Sequence, residues 1–389
     1  MKKPYILHLP KWYPNAEDDL EGIFIRRHIE STKAHWDARV VFARAGSTVP
    51  SNRWYVMEEI PITNGMAYLA YYRHSYIGVK LLDRVIKFTL YYGLNILLIR
   101  KVVKRHGKPA GIHAHVLLRS AVLAQLFSFL WNVPFWITEH ATFFTLGVKP
   151  NPWNLKNFLR KLICHSANGI ITVSHDLEMG MKSFGIHHTR YFRVFNNVDT
   201  ALFHYRKKSA GERMRFIHVS EFKNDHKNIL GLLRVVSRLK EAGQNFVLDL
   251  VGYGADLSMI LQFLQDHQLT DVVRYHGKIA PENLACFYQQ AAALILFSNK
   301  ENMPCVIAES LCCGTPVIST RVGGIAEIVD KNNGILIDKG SENQLFESIC
   351  GLTSGKYSFD YQRISAEATQ LFNNEAIGNR ISQIYRGGS

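Results

Sequence analysis

The segment ALILFSNKENMPCVIAESLCCGTPVIST, residues 293–320, contains the pattern that decides the fold. Its apolar runs, Ala293 to Phe297 and Pro316 to Thr320, have the length of buried strands, and residues 304–313 between them have the length of a helix. Pro304 is a residue that favours a helix start, and Gly314 is one that commonly follows a helix end. A strand, a helix and a strand in this order predict a βαβ unit of a parallel sheet.

The same alternation of strands and helices extends over the whole chain. Further predicted strands lie at residues 5–9, 40–43, 111–114, 135–138 and 169–173 in the first half, and at 214–219, 245–251 and 272–276 in the second. The chain has 389 residues, which is more than one ordinary core needs. We therefore predict an α/β fold of two Rossmann-like, doubly wound domains facing a central cleft, with ligands beyond the carboxyl ends of the strands.

A polar, basic stretch at residues 205–212 marks the expected linker. It divides the chain into a first domain over residues 1–205 and a second over 206–371. The net charge of +14 is divided unequally: residues 1–205 hold 26 Lys and Arg against 13 Asp and Glu, and residues 206–389 hold 20 against 19. The first domain is therefore expected to face an acidic partner.

The basic and aromatic stretch 71–105 is the strongest candidate for that contact. Lys80, Arg84 and Lys87 fall on one helical face. An ordinary solvated face and attachment to an anionic membrane surface are both open interpretations. Nucleic acid is not an expected partner, because no known nucleic-acid-binding module accompanies the charge.

Cellular location is predicted from the cysteines and the apolar runs. The six cysteines include no Cys-x-x-Cys pair, which indicates buried thiols in a reducing compartment. The first ten residues have too few apolar positions for a signal peptide, and the run from Phe88 to Ile99 is too short to span a membrane. We expect a cytoplasmic protein, with peripheral attachment at the inner face of the cell membrane left open.

Two carboxylates flank the predicted helix start near Pro304. Glu301 lies in the loop before the helix, and Glu309 lies eight positions later in the helix. A helix N-terminus attracts anions such as a diphosphate, and each carboxylate can accept hydrogen bonds from a vicinal diol. This order of groups matches a sugar nucleotide. The following pair Gly323-Gly324 is expected to allow close backbone approach to such a ligand.

At this point the sequence resembles a known family. The stretch from Glu301 to Glu309, Gly314-Thr315-Pro316-Val317-Ile318 and Gly323-Gly324-x-x-Glu327 are similar to the signature of retaining glycosyltransferase family four, the group 1 glycosyl transferases with the GT-B fold. Weaker likenesses extend over nearly the whole chain. They are Trp12-Tyr13-Pro14 with Gly22, His113-Ala114-His115, Thr138-Glu139-His140, Val173-Ser174, Asn196-Asn197, the segment Val219 to Asn228, and a returning tail at about 372–389 that joins the first domain.

The resemblance implies roles for individual residues. The domain over 1–205 would bind the acceptor and the domain over 206–371 the donor. Glu301 would contact the donor sugar, Lys227 would neutralise the diphosphate leaving group, and His140 would lie near the reacting carbon or the acceptor. Glu309 would hold the ribose. The other implied donor-binding positions are Asn302 and Met303 through their backbone, Lys223, Gly22, Gly252 and Gly254. Asn302 stands where glycine is more common.

One position departs from the family pattern. The family often has an arginine shortly after the first strand of the second domain, as a partner of the lysine on the phosphates. Glu221 stands there in this chain, with Lys223 nearby and one extra residue before Lys227. Either Lys223 replaces the arginine or a single cation suffices.

The histidines and glycines also have plainer interpretations. His113 and His115 would share one side of a strand, but the sequence suggests no third ligand, so no metal site is expected. His140 is as compatible with a packed core histidine as with a catalytic one. Gly22 and the pair Gly252 and Gly254 are weak motifs, which tight turns alone would explain.

The sequence therefore predicts a retaining, metal-independent glycosyltransferase without a cofactor. Its donor would be a nucleoside-diphosphate sugar, with uridine as the expected base, and its acceptor a glycan or lipid-linked glycan in cell-envelope or capsule polysaccharide synthesis. Two alternatives are a sugar-nucleotide epimerase on the same fold and a non-catalytic protein that binds membranes or glycans. A dinucleotide-dependent oxidoreductase is disfavoured, because no Gly-x-Gly-x-x-Gly motif follows the first strand.

Overall fold

Fourteen strands and thirteen α-helices are found in the computed structural model, which describes residues 3–144, 154–208 and 212–387. The strands are β1 Tyr5–Pro10, β2 Asp37–Ala45, β3 Tyr55–Ile62, β4 Gly65–Tyr72, β5 Gly111–His115, β6 Phe135–Glu139, β7 Gly169–Thr172, β8 Tyr191–Arg193, β9 Met214–Glu221, β10 Phe246–Tyr253, β11 Val273–Gly277, β12 Ala293–Leu296, β13 Val317–Thr320 and β14 Gly334–Ile337. The helices are α1 Ile23–Ser31, α2 Lys80–His106, α3 Ser120–Trp131, α4 Leu155–Ser166, α5 His175–Ser183, α6 Asn224–Lys227, α7 Ile229–Glu241, α8 Leu257–Asp266, α9 Pro281–Gln290, α10 Cys305–Cys312, α11 Glu342–Thr353, α12 Tyr361–Phe372 and α13 Asn374–Tyr385.

The described residues divide into two compact units. The first consists of Met1–Val173, Glu178–Val194 and Ile377–Ser389, and the second of Ser174–Leu177 and Phe195–Ala376. The predicted change of domain at residue 205 therefore differs from this division by about ten residues. The segment after Phe195 packs with the second unit, because the Val198 N–H donates to the Phe372 carbonyl at 2.8 Å and Phe203 is fully buried beside Tyr288. Part of the expected linker, residues 209–211, lies outside the described residues.

The first unit is built on one sheet of eight strands in the order β3-β4-β2-β1-β5-β6-β7-β8. All neighbouring strands are parallel except β3 and β4, which form an antiparallel pair. One layer of its core consists of α1 residues such as Ile25 and Ile29 against Val40 of β2 and Leu69 of β4. These strands are nearly continuous apolar runs, as expected for parallel strands that are covered on both faces.

The second unit is built on six parallel strands in the order β11-β10-β9-β12-β13-β14. Counted from β9, this is the order 3-2-1-4-5-6 of a doubly wound sheet. Leu232 and Val236 of α7 pack on Phe216 and Leu248 of the sheet, and all four side chains are buried. The connection direction reverses between β9 and β12, and a crevice is expected at their carboxyl ends.

The two parallel-sheet α/β domains that the sequence predicted are confirmed. The decisive segment forms β12, α10 and β13, with bounds within three residues of those expected. The prediction missed the hairpin of β3 and β4 and the short edge strands β8 and β14. Among the described residues, no helix is long and apolar enough to cross a membrane, including the 27-residue α2.

Candidate active site

The central feature of the second unit is an ion pair between Lys227 and Glu301. Lys227 ends α6, which follows β9, and Glu301 lies in the loop after β12. Because β9 and β12 are paired neighbours at the point where the sheet reverses direction, their carboxyl ends bring these two loops together. The Lys227 Nζ donates to Glu301 Oε1 at 2.5 Å.

Glu301 is held in place by a second donor. The Ser298 hydroxyl donates to the same oxygen, Oε1, at 2.7 Å, and only 7% of the Glu301 side chain is exposed. Such hydrogen bonds offset the loss of contact with water at a carboxylate that is this deeply buried. Ser298 is itself fully buried, and its carbonyl accepts a 2.6 Å hydrogen bond from Thr320 of β13. The carboxylate is therefore fixed to the sheet and not to a mobile loop tip.

Backbone hydrogen bonds fix the loop between Glu301 and α10. The N–H groups of Asn299 and Lys300 donate to the His226 carbonyl, at 2.7 and 3.2 Å. The Asn302 carbonyl accepts from the Gly324 N–H at 2.8 Å, and the Met303 carbonyl accepts from the Asn196 side chain at 2.9 Å. Asn302 and Met303 are both largely buried. The loop is therefore a rigid support for Glu301.

The paired glycines Gly323 and Gly324 approach the chain itself. A Cβ on Gly323, whose φ is +56°, would lie 2.2 Å from the Glu301 carbonyl oxygen. A Cβ on Gly324 would lie 2.4 Å from the Ser174 Cβ. The space that side chains would fill is thus partly taken by the loop that carries Glu301, and close approach of a ligand to the backbone of these glycines stays a prediction.

Glu309 lies in α10, nearly buried, and its Oε2 accepts a hydrogen bond from the Tyr288 hydroxyl at 3.3 Å. The helix begins at Cys305, one residue later than predicted, with Pro304 at the N-cap. Within the part of the chain that the structure describes, no side chain caps this helix and its first turn has no acidic residue. The positive end of the helix dipole is at Cys305, between Glu301 and Glu309 in the chain.

Gly252 and Gly254 permit the close packing of two chain segments. A Cβ on Gly252 would lie 2.0 Å from the Ser220 carbonyl oxygen, and one on Gly254 would lie 2.5 Å from that of Phe222. Both glycines therefore let the end of β10 pass against the end of β9. Lys223, at the N-cap of α6, is exposed and its carbonyl accepts the N–H of Lys227 at 2.9 Å.

A buried histidine lies on β9 close to this site. His218 is fully buried, with Nδ1 at 2.9 Å from the Ile295 carbonyl oxygen and Nε2 at 2.8 Å from the Ser220 hydroxyl. Burial, with a smaller contribution from the positive charge of Lys227, lowers the pKa of His218 to about 4. The ring is therefore neutral at physiological pH and adds no charge next to Lys227.

In the first unit, the candidate residue His140 follows β6. Its ring packs 4.7 Å from that of Phe24 and 5.7 Å from that of His28, and burial holds its pKa well below the usual value. The preceding Glu139 is completely buried and accepts the N–H groups of His140, Ala141 and Leu117 at 2.7 to 2.9 Å. Glu139 thus fixes the turn that carries His140, while His140 itself is a neutral, packed imidazole.

A histidine cluster that the sequence did not predict lies at the centre of the first sheet. His8 of β1 supplies the third member beside His113 and His115, and their ring nitrogens lie within 4.8 Å of one another. His8 Nδ1 is 3.1 Å from His115 Nε2, and His113 is bonded on both nitrogens, to the Tyr385 and Thr138 hydroxyls at 2.5 and 2.7 Å. Burial lowers the pKa of all three. These residues could hold a metal ion only if His113 gave up one of its hydroxyl partners.

Gly22 occupies the turn before α1. Its φ is +64°, and a Cβ would lie 2.5 Å from the Trp12 backbone. Glycine is required here by the conformation and by the crowding of the turn. A contact of Gly22 with a donor remains a prediction.

Two family models match the chain in succession. The model for Glycosyltransferase Family 4 matches residues 27–202, and the model for Glycosyl transferases group 1 matches residues 202–370. The chain is a group 1 glycosyltransferase of family four. The resemblance first seen around Glu301 is confirmed, and the second model contains the whole of the Lys227 and Glu301 site.

Individual relatives of this glycosyltransferase are distant in sequence. The N-acetyl-alpha-D-glucosaminyl L-malate synthase of Bacillus anthracis is 25% identical over 300 residues, which are 70% of this chain and 74% of the relative. Among solved structures, sucrose-phosphate synthase from Thermosynechococcus elongatus superposes with a TM-score of 0.76 at 20% identity, over 98% of both chains. Anabaena HepE in complex with UDP-glucose gives a TM-score of 0.69 at 16% identity, over 98% of this chain and 99% of that one. These structures confirm the predicted fold class.

Sequence reasoning missed the residues that position the glycosyltransferase loop. Ser298 orients Glu301, Asn196 holds Met303, and the Ser174 hydroxyl donates to the Asn302 side chain at 3.1 Å. Glu327, the last residue of the signature, accepts the N–H groups of His175 and Asp176 at 2.9 and 3.0 Å. Ser174, Asn196 and Glu327 stood within segments that resembled the family, but no local pattern indicated what they would contact.

Replacing Gly323 with alanine should destabilise the protein far more than the same change at Gly340. Both glycines have positive φ, +56° and +74°, but a Cβ on Gly340 would have no atom within 4 Å. Gly340→Ala should cost about 1 kcal/mol for the left-handed backbone, and Gly323→Ala about 1–3 kcal/mol more for the forced displacement of the Glu301 loop. Urea unfolding measures both. Equal losses would show that the loop yields freely to a methyl group.

Protonation of His218 should destabilise the fold in acid. Its pKa is about 4 in the folded state and about 6.5 when unfolded, so the unfolded state binds the proton first as the pH falls. Stability is complete above pH 6.5 and is lost towards pH 4, with a slope of at most about 1.4 kcal/mol per pH unit from this residue. His218→Gln should reduce the slope of unfolding free energy against pH, measured between pH 7 and 5. Exposed His267→Gln is the control, and identical slopes in both variants would contradict the assignment.

Proposed function

We propose that this glycosyltransferase is a retaining, metal-independent enzyme whose donor is a nucleoside-diphosphate sugar, with UDP as the carrier. Its proposed acceptor is a glycan or lipid-linked glycan in cell-envelope or capsule polysaccharide synthesis. The observation that carries the proposal is the pairing of Lys227 with Glu301 at the carboxyl ends of β9 and β12, in the same unit as Glu309 and the N-terminus of α10.

The charges of this site suit a diphosphate next to a sugar. Lys227 has three N–H donors, of which the bond to Glu301 uses one, so the same ammonium group can also bind a phosphate oxygen. Both hydrogen bonds to Glu301 end on Oε1, so Oε2 is the oxygen that can accept a sugar hydroxyl. The N-terminus of α10 adds a second attraction for the phosphates. Glu309 is the proposed partner of the ribose hydroxyls, and Lys223 the proposed second cation.

The chemical step needs stabilisation of the departing diphosphate more than any other contribution. Lys227 supplies it at a position fixed by Glu301, so the cation need not reorganise when charge develops on the leaving oxygen. We propose that the phosphate then helps to remove the acceptor proton on the same face of the sugar, which gives retention. His140 is neutral, so its proposed part near the acceptor is to donate or accept a hydrogen bond and not to supply a charge.

The named relatives support the donor class more closely than the acceptor. HepE has been crystallised with UDP-glucose, and this supports a UDP-sugar here. The names of the N-acetyl-alpha-D-glucosaminyl L-malate synthase and the sucrose-phosphate synthase indicate that acceptors differ widely within this fold. A glycan or lipid-linked acceptor is therefore proposed from the basic character of the first unit, where residues 1–205 have a net charge of +13.

Donor binding should raise the thermal stability of the wild type and not that of Glu309→Ala. A UDP-sugar at one hundred times its dissociation constant stabilises the folded state by about 2.7 kcal/mol. Wild type, Glu309→Ala and the control Glu347→Ala, an exposed glutamate of α11, are compared with UDP-, GDP- and ADP-sugars in a thermal-shift assay. The control should respond as wild type does. Absence of a shift with every nucleotide would reject the donor site.

Turnover should depend on the Glu301 carboxylate more than binding does. Glu301→Gln keeps the shape but removes the charge that holds Lys227, so kcat should fall by about 100-fold or more while UDP affinity changes little. The reaction is followed by release of UDP with and without EDTA, and the anomeric configuration of the product is read by NMR. An inverted product would refute retention, and loss of turnover in EDTA would refute metal independence. Unchanged turnover in Glu301→Gln would remove Glu301 from the mechanism.

A further inference from the structure

Two helices of the first unit have apolar stripes that point away from the core. Helix α3 exposes Leu126, Phe129 and Leu130, and helix α4 exposes Leu155, Phe158, Leu159 and Leu162. The exposed fractions reach 85% at Phe129, 69% at Leu155 and 62% at Phe158. Spacings of three and four residues place each set on one face of its helix. We call these seven residues the α3–α4 patch.

Helix α4 carries apolar side chains on its outer side as well as on its inner side. Its buried positions are Asn157, Ile163 and Cys164, while its leucines and Phe158 face outward. A surface helix of a globular protein normally turns its apolar stripe to the core. The two stripes lie on neighbouring helices, because α3 packs on α4 and Gln125 donates to the Ser166 hydroxyl at 2.7 Å. An apolar surface formed by two adjacent helices indicates an interaction site.

The chain segment that contains the patch carries charge of nearly one sign. Residues 84–175 hold twelve Lys and Arg but a single acidic residue, Glu139, which is buried. Helices α3 and α4 contain no acidic residue at all, and Lys156 and Lys161 are exposed beside the stripe of α4. Exposed aromatic and aliphatic side chains flanked by cations are the combination that binds an anionic lipid surface.

We propose that the α3–α4 patch binds the surface of an anionic lipid bilayer, with Phe129 and Phe158 inserted among the lipids and Lys156 and Lys161 at the head groups. This goes beyond the basic residues of 71–105 that the sequence indicated. Helix α2 also exposes Leu81, Val85 and Phe88 beside Lys80, Arg84 and Lys87, and it is the competing surface. Helix α3 has no charged residue, so insertion of its apolar stripe into lipid would bury no charge.

A second copy of the chain is a poorer occupant for the same surface. A two-fold symmetric contact through the α3–α4 patch would place the Lys156 and Lys161 side chains of both copies in an interface where neither α3 nor α4 offers an acidic partner. Like charges in such an interface repel, whereas anionic head groups neutralise them. Charge complementarity therefore favours lipid.

The test is co-sedimentation of the full-length protein with vesicles of equal parts phosphatidylglycerol and phosphatidylcholine, and with phosphatidylcholine alone. The patch variant is Phe129→Ser/Phe158→Ser, and the competing variant in α2 is Leu81→Ser/Phe88→Ser. The matched control is Met259→Ser/Leu371→Ser, which changes two exposed apolar residues of the second unit. A charge pair, Lys156→Glu/Lys161→Glu, is compared with Lys331→Glu/Lys339→Glu. Because the changed side chains are exposed, all variants should keep the thermal midpoint of the wild type.

The patch variant should lose at least about tenfold in partition to the anionic vesicles, since it removes two inserted aromatic rings. The Lys156 and Lys161 variant should lose a similar factor, and both control variants and the α2 variant should stay within about twofold of wild type. Wild type should bind the neutral vesicles at least about tenfold more weakly than the anionic ones.

Three results would overturn the proposal. The first is that wild type does not bind anionic vesicles. The second is that the patch variant binds them as strongly as wild type does, and the third is that only the α2 variant loses binding. Sedimentation velocity without lipid gives a further check: a wild-type dimer that becomes monomeric in the patch variant would assign the surface to a second copy. None of these measurements uses donor or acceptor, so failure of the vesicle test and failure of the proposed transferase reaction are separate results.

Discussion

The contact between the Lys227 ammonium and the Glu301 carboxylate joins the end of α6 to the loop after β12, and the two residues are 74 positions apart in the chain. Each charge has little access to water, and either one alone would be costly to bury. The sheet brings them together only because β9 and β12 are adjacent at the point where strand order reverses. The site therefore depends on correct pairing of the central strands, and the ion pair in turn holds the ends of those strands in one arrangement.

The support around this pair consists of close backbone contacts. Gly323 and Gly324 leave room for the loop that carries Glu301. Asn196 holds that loop from another segment, and Ser298 holds the Glu301 carboxylate from within the loop. Such fixed support matters for a reaction in which charge develops on a leaving diphosphate, because groups that are already in place need not reorganise. Conformational requirements of glycine and hydrogen-bond requirements of buried polar groups thus explain much of the signature that marks the family.

The first unit buries a group of polar side chains and exposes several large apolar ones. Its core holds the neutral histidines His8, His113 and His115, while its surface shows Phe129 and Phe158 to solvent. The uncharged rings of His8 and His115 bond to each other, and His113 bonds to two hydroxyl groups, which offsets part of the cost of burying these polar groups. The exposed phenylalanines do not contribute the stability that their burial would give. An exposed apolar surface of this kind is typical of an interaction site.

The sequence by itself determined the α/β class, the two parallel-sheet domains, most central strands and the family. The alternation of apolar runs with helices and the motif from Glu301 to Glu327 are local properties of the chain. They can be read from the sequence without the fold. The sequence also marked Glu301, Glu309 and Lys227 as candidates, but it could not show that Lys227 and Glu301 touch. The tertiary structure alone decided that contact, the support from Ser298 and Asn196, the third histidine of the cluster, and the outward direction of the α4 stripe. Each of these depends on which strands are neighbours and which face of a helix meets the sheet, and both are set by packing of segments far apart in the chain.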